Sequence, residues 1–308
     1  MIKEFYFESS SGKNLYAKMW KDNNVVNYKG VVELVHGMEE SIARYEDFAT
    51  YLMDEGFIVI GHDHLGHGKS VTNDKELGDL GCKDGWFRMT EDIHILQNKI
   101  HEEYPNLPYF IFGHSMGSLL TRTYLTIYKD DLRGVILSGT SGKKSLMLYL
   151  GVILSSIIKL FKGSKYKSKL MSNMVTGSFN KKFAPNKTEC DWLTRDQKLL
   201  VEQQEFINPN RKFTIESYIQ MLKGSIYLNK ISKIRNTPNI PILLMSGEND
   251  PVGEMGKGVK RVYNMLKKVK ITDITLKLFK DGRHEMLNEI NRDEVYKFLV
   301  DWIESKTK

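Results

Sequence analysis

The chain has 308 residues, 41% hydrophobic and 27% charged, a composition that excludes a disordered chain and suits one large core or a core with a smaller inserted piece. The formal net charge is +7, yet ten lysines between Lys143 and Lys187, with no Asp or Glu from Lys143 to Thr188, leave −3 for the remainder. A charge confined to one segment without a recognised module argues against a nucleic-acid partner, and two cysteines, Cys82 and Cys190, make neither a disulfide framework nor a thiolate metal site.

The first residues, Met1 to Glu8, alternate charged and apolar side chains and lack the basic start and apolar run of a secretory signal. With no uncharged apolar run reaching the ~20 residues of a spanning helix, the expectation is a cytoplasmic chain that is neither exported by that route nor integral. Phe5–Glu8 and Leu15–Lys18, around Ser10-Ser11-Gly12, predict an antiparallel hairpin at a sheet edge. Short β-branched and aromatic runs at 31–35, 57–60, 109–112, 135–137, 242–245 and 275–279, most of them continuously apolar, predict strands covered on both faces. Helical stripes fall between them, at Ile42–Met53, Leu119–Ile127, Val259–Leu266 and Val295–Ile303. Strand–helix alternation predicts an α/β fold, a mostly parallel central sheet with helices on both faces. The alternation breaks between about 141 and 235, which reads as helices and loops inserted between two sheet strands. The expected division is core at 1–140, insertion at 141–235 and core again at 236–308.

Gly113-His114-Ser115-Met116-Gly117 follows one predicted strand and opens a predicted helix. This is the nucleophile-elbow pattern: flanking glycines let strand and helix approach while the serine hydroxyl stands exposed at the strand's carboxyl end. A serine hydroxyl is a poor nucleophile without a base to take its proton. Of the eight histidines only His284 lies downstream of Ser115, in a loop after the strand at 275–279. Asp250, after the strand at 242–245, is the best candidate for the carboxylate that orients it, with Glu248 and Asp281 as rivals. The oxyanion of an acyl-transfer intermediate needs two backbone N–H donors. Met116, after the serine, and Met38, in the His36-Gly37-Met38 turn after the strand at 31–35, fit that need.

These residues, with Glu40, Arg44-Tyr45, Asp63-His64-Leu65-Gly66-His67-Gly68-Lys69-Ser70, Asp84-Gly85-Trp86, Asp250-Pro251-Val252 and His284-Glu285, resemble the α/β-hydrolase superfamily, specifically its monoacylglycerol lipase and lysophospholipase branch. The resemblance covers 1–140 and 236–308 well and the insertion poorly. It implies a serine ester hydrolase acting on a monoacyl lipid, with Ser115, Asp250 and His284 as triad, Met38 and Met116 as oxyanion donors, and no metal or organic cofactor. It also implies that the insertion is a helical cap over the site. Ser41 departs from the branch, which often has histidine after the glutamate.

His62, His64 and His67 have a tempting metal spacing, but the resemblance makes them a structured turn. Gly68-Lys69-Ser70 mimics the end of a phosphate-binding loop, whose first glycine would fall on Asp63. Trp86 reads as a packing anchor. Ser145–Ile158 is a 14-residue uncharged stretch flanked by lysines, suited to lying on an anionic membrane surface and admitting an acyl chain; the chain would then be peripheral at the membrane. A proline-iminopeptidase-like aminopeptidase would use the same triad and would need acidic groups for a free amino terminus, which Glu189, Asp191, Glu202 and Glu205 offer. A non-catalytic ligand-binding protein on the same fold is the remaining alternative.

Overall fold

A computed structural model describes residues 1–81, 84–142, 144–205 and 211–307, without the side chains of 202–205. Cys82 and Lys143, and the side chains of Glu202 and Glu205, therefore lie outside the described residues.

The strands are β1 (Ile2–Glu8), β2 (Asn14–Trp20), β3 (Val31–Val35), β4 (Ile58–His62), β5 (Tyr109–His114), β6 (Leu132–Ser138), β7 (Ile242–Gly247) and β8 (Ile274–Phe279). They form one eight-stranded sheet in the order β1-β2-β4-β3-β5-β6-β7-β8. The predicted hairpin is β1 and β2, paired antiparallel at the edge; β2 also meets β4 antiparallel, and every pairing beyond β4 is parallel. The fold class read from the sequence is the one observed.

Every residue of β3 is buried, because helices cover both faces of the sheet. Val31 and Val35 pack in one layer, with Trp86, Met89 and Ile93 of α2 (Gly85–Glu103), Leu120 and Tyr124 of α3 (Met116–Ile127) and Val259 and Val262 of a later helix, Lys257–Lys268. Val32 and Leu34 pack in the other, with Phe48 and Leu52 of α1 (Glu46–Asp54) and Leu299 and Ile303 of the C-terminal helix Arg292–Thr307. Trp86 anchors packing as expected: its indole N–H donates to Thr123 Oγ1 at 3.2 Å, and it lies so close to Gly224 that a Cβ there would meet the ring at 2.3 Å.

Between β6 and β7 the described residues hold helices and no strand: α4 (Ser145–Lys162), α5 (Lys169–Val175), α6 (Gln197–Glu205), α7 (Ile215–Tyr227) and α8 (Ile231–Ile234). α4 extends beyond the uncharged stretch to take in Lys159 and Lys162. Its 18 residues are long and apolar enough to cross a membrane by length and composition. Only Leu148, Gly151 and Ser155 are buried along it, Gly151 facing Leu222 of α7. Leu146, Met147, Leu150, Ile153, Leu160 and Phe161 are exposed.

Candidate active site

β5 ends in the tight turn that carries Ser115. The serine has φ +52° and ψ −118°, a left-handed strain that an L-residue adopts only when its surroundings enforce it. The flanking glycines supply the enforcement by close approach. A Cβ on Gly117 would come within 2.0 Å of Val35 O, and one on Gly113 within 2.7 Å of Gly117 O. Ser115 N–H donates to Ser138 O of β6 at 2.9 Å. On the other side Gly37 brings the turn after β3 against the serine, with room for no side chain between Glu40 and Ser115 Cβ.

The loops after β7 and β8 are laced together. Asn249 N–H donates to Gly282 O at 2.8 Å, and Gly247 packs directly on the Gly282 carbonyl. This brings Asp250 and His284 into contact: Nδ1 of His284 lies 3.0 Å from Oδ1 of Asp250. Both are buried. The same carboxylate accepts Val252 N–H at 2.8 Å and Ser246 Oγ–H at 2.8 Å. Burial alone would raise Asp250, but the imidazole beside it and these donors hold it below the ordinary aspartate value. Burial alone would depress His284; the Asp250 charge and hydrogen bond outweigh it and leave the imidazole above its ordinary value. The rivals Glu248 and Asp281 are exposed, and neither bonds to the imidazole.

Ser115 and His284 line one cavity. It has a volume of about 390 Å³ and is lined mostly by polar and charged residues, among them Glu39, Arg44, Arg211 and Lys212, together with Trp192. A second chamber of about 110 Å³ also opens on Ser115 and is apolar, walled by Leu119, Leu148, Val175, Phe179 and Leu222. Met38 borders both chambers and Met116 the apolar one. The five predicted residues thus converge, and Ser115 stands where the chambers meet.

The structure also shows what residue-by-residue reading left without a role. The His284 ring packs between Trp192, at 5.2 Å, and His114, at 4.7 Å between centroids. The inserted segment is tied to this loop: Glu285 N–H donates to Leu193 O at 2.7 Å and His284 N–H to Trp192 O at 3.4 Å. Arg195 and Glu289 pair at 2.9 Å. Arg44 clamps both oxygens of Glu285, at 2.8 and 2.7 Å. Glu40, His114 and Glu285 place possible ligand atoms within 4.8 Å of one another, but the guanidinium already on Glu285 disfavours a cation there. Of the histidines with metal-like spacing, His64 Nδ1 faces His62 Nε2, and His67 faces the Leu65 carbonyl through Nδ1 and accepts Glu39 N–H through Nε2. Asp63 accepts Ile42 N–H and Lys69 N–H, each at 2.7 Å, and so closes a structured turn.

The serine aminopeptidase S33 family model matches residues 26–291. Human monoglyceride lipase is 23% identical over 305 residues, covering 97% of this chain and 89% of that protein. The monoglyceride lipase homolog of monkeypox virus is 24% identical over 298 residues, covering 96% of this chain and 95% of its own. A thermostable carboxyl esterase from Bacillus coagulans, solved with glycerol, superimposes with a TM-score of 0.91 at 29% identity, covering 100% of this chain and 99% of that one. With its sheet order, its strained serine turn and a family match spanning most of its length, this chain belongs to the serine aminopeptidase S33 family of the α/β-hydrolase fold.

Proposed function

We propose that this chain is a carboxylic ester hydrolase of monoacyl lipids, working through Ser115, His284 and Asp250. The observation that carries the reading is the His284–Asp250 hydrogen bond in a cavity shared with a strained serine that also borders an apolar chamber. With Nδ1–H committed to Asp250, Nε2 is the nitrogen left to accept the Ser115 proton as the hydroxyl attacks the ester carbonyl. The oxyanion that forms is met by the N–H groups of Met38 and Met116. His284 then protonates the leaving alcohol, and water activated by the same nitrogen releases the acid from the acyl-enzyme. The apolar chamber suits the acyl chain and the polar one the alcohol.

Human monoglyceride lipase and the Bacillus coagulans esterase support ester chemistry by their names. Peptidase chemistry is less well supported. Asp191, one of the acidic groups that could hold an amino terminus, instead accepts the N–H groups of Lys187 and Thr188, and Glu189, which borders the polar chamber, is exposed. A purely ligand-binding role leaves the Asp250–His284 pair unexplained. Hydrolysis of a monoacylglycerol beside an aminoacyl arylamide tests the reading, which fails if only the amide is cleaved.

A general base must be unprotonated. Because the Asp250 charge raises His284 above the ordinary imidazole value, the acidic limb of kcat/KM on an uncharged ester is expected to have its midpoint above ~6.5. A midpoint clearly below that value would contradict the pairing.

On this reading residues 141–235 form a cap over the core made by 1–140 and 236–308, and α4 rests its exposed face on an anionic membrane surface. The row of exposed apolar side chains and the lysines at its carboxyl end support this. Replacing Leu150 and Ile153 together by glutamate should reduce sedimentation with anionic vesicles by ~100-fold, since each apolar side chain contributes about 1.5–3 kcal/mol on burial. Equal sedimentation of variant and parent would remove the membrane contact.

A further inference from the structure

The polar chamber carries charged side chains whose partners can be accounted for one by one. Arg44 is clamped on Glu285. Glu40 accepts the Tyr45 hydroxyl at 2.9 Å. Burial pushes the Glu39 carboxyl up to about 7, against the pull of Phe213 N–H and of Lys212, so near neutrality it carries a proton for much of the time. Glu189 is exposed at the rim. Two groups remain: Arg211 and Lys212 line the chamber with Ser115 and His284, both part-buried, and neither makes a hydrogen bond or ion pair with another described residue.

Their backbone is held in place. Gly78, at φ +71°, packs so tightly on this segment that a Cβ would fall 2.2 Å from Lys212 O, and Thr214 N–H donates to Gly78 O at 3.0 Å. The next residue, Phe213, is fully buried against His67 and Tyr218, at 5.6 and 5.7 Å between centroids. Two adjacent cations with no ion pair among the described residues, the part-protonated Glu39 being the chamber carboxylate that feels both, lie on an anchored stretch beside the alcohol side of the ester and are arranged for an anion. A guanidinium forks two oxygens of a phosphate, and an ammonium adds a point charge.

We infer that the alcohol half of the substrate bears a phosphate, held by Arg211 and Lys212, so that the preferred substrates are monoacyl glycerophospholipids rather than neutral monoacylglycerols. This rests on the ester-hydrolase reading and narrows it. The phosphate takes no part in bond making. It fixes the leaving alcohol in the polar chamber while the acyl chain occupies the apolar one.

The test compares kcat/KM for a monoacylglycerol, the matching monoacyl glycerol phosphate and the matching lysophosphatidylcholine, with a p-nitrophenyl acyl ester as reference. Two outcomes support the inference. The parent protein favours at least one phosphorylated lipid over the monoacylglycerol, and the Arg211→Gln, Lys212→Gln double variant lowers that preference by ~100-fold, the loss of two charge-assisted contacts. The two phosphorylated arms separate a phosphomonoester from a choline-bearing phosphodiester. A parent protein that cleaves the monoacylglycerol as well as either phospholipid overturns the inference, as does a variant that loses activity equally on all four esters. In both of those cases the ester-hydrolase reading stands. A parent protein inert toward all four, the activated reference included, brings down that reading and the inference with it.

Discussion

Ser115→Ala is expected to abolish ester turnover, a loss of ~10⁶-fold, while the protein should keep its far-ultraviolet circular dichroism and its melting temperature within a few degrees. The size follows from the way nucleophile and base act as one unit, so that removing either costs about as much as removing the whole set. The retained fold follows from the local structure. The hydroxyl of Ser115 makes no hydrogen bond to another described residue, whereas its backbone N–H and carbonyl hold the turn through Ser138 O and Ser118 N. Alanine also places its Cβ where the serine Cβ already sits against Gly37. Steady-state hydrolysis of an activated ester together with labelling by a fluorophosphonate reads the effect. Turnover within tenfold of the parent would remove Ser115 from the chemistry.

Asp250→Asn should lower kcat by ~10⁴-fold with little change in stability. The amide is isosteric with the carboxylate; turned so that its N–H meets His284 Nδ1, it keeps an oxygen for Ser246 Oγ–H and gives up the Val252 N–H bond, which falls on the same atom as the imidazole contact. The imidazole then carries its proton on Nε2 and can no longer accept one from Ser115. Loss of the buried negative charge, a main support of the raised imidazole value, should also move the acidic limb of the residual activity to lower pH. A drop in kcat without that movement would mean that Asp250 serves the fold rather than the base.

Much of the sheet was legible because its central strands, covered by helices, read as largely apolar runs, with Glu33 the one charge in β3. The strands at 31–35, 109–114 and 242–247 each run into a turn that carries a site residue, Met38, Ser115 and Asp250 in order. Ser115, Asp250 and His284 were legible for a related reason: chain order and a strand's carboxyl end leave few candidates, and local glycines mark the turn. α2 was not picked out, although Trp86, Met89, Ile93, Leu96 and Ile100 recur at alternating spacings of three and four; the charged and histidine residues between them diluted the stripe. The insertion was legible only as helical. Its contributions to the site, Trp192 against the imidazole and Arg211 and Lys212 in the polar chamber, come from loops with no periodicity, and side chains that meet the core across some ninety positions of chain leave no local signature. The α4 face was legible as apolar, but its exposure depends on Gly151 packing against α7, a contact between elements that no local pattern announces.

The stitching between residues 192–195 and 284–289 makes the inserted region mechanically unequal along its length. Its rear portion is bonded to the loop that carries the imidazole, whereas among the described residues α4 and α5 have no backbone hydrogen bond to that loop. On the reading proposed above, any movement of α4 and α5 that admits substrate would leave these ties, and with them the His284–Asp250 pair, in place. A cut or an added crosslink at the front would alter how fast substrate enters, and the same change at the rear edge would alter the chemistry itself.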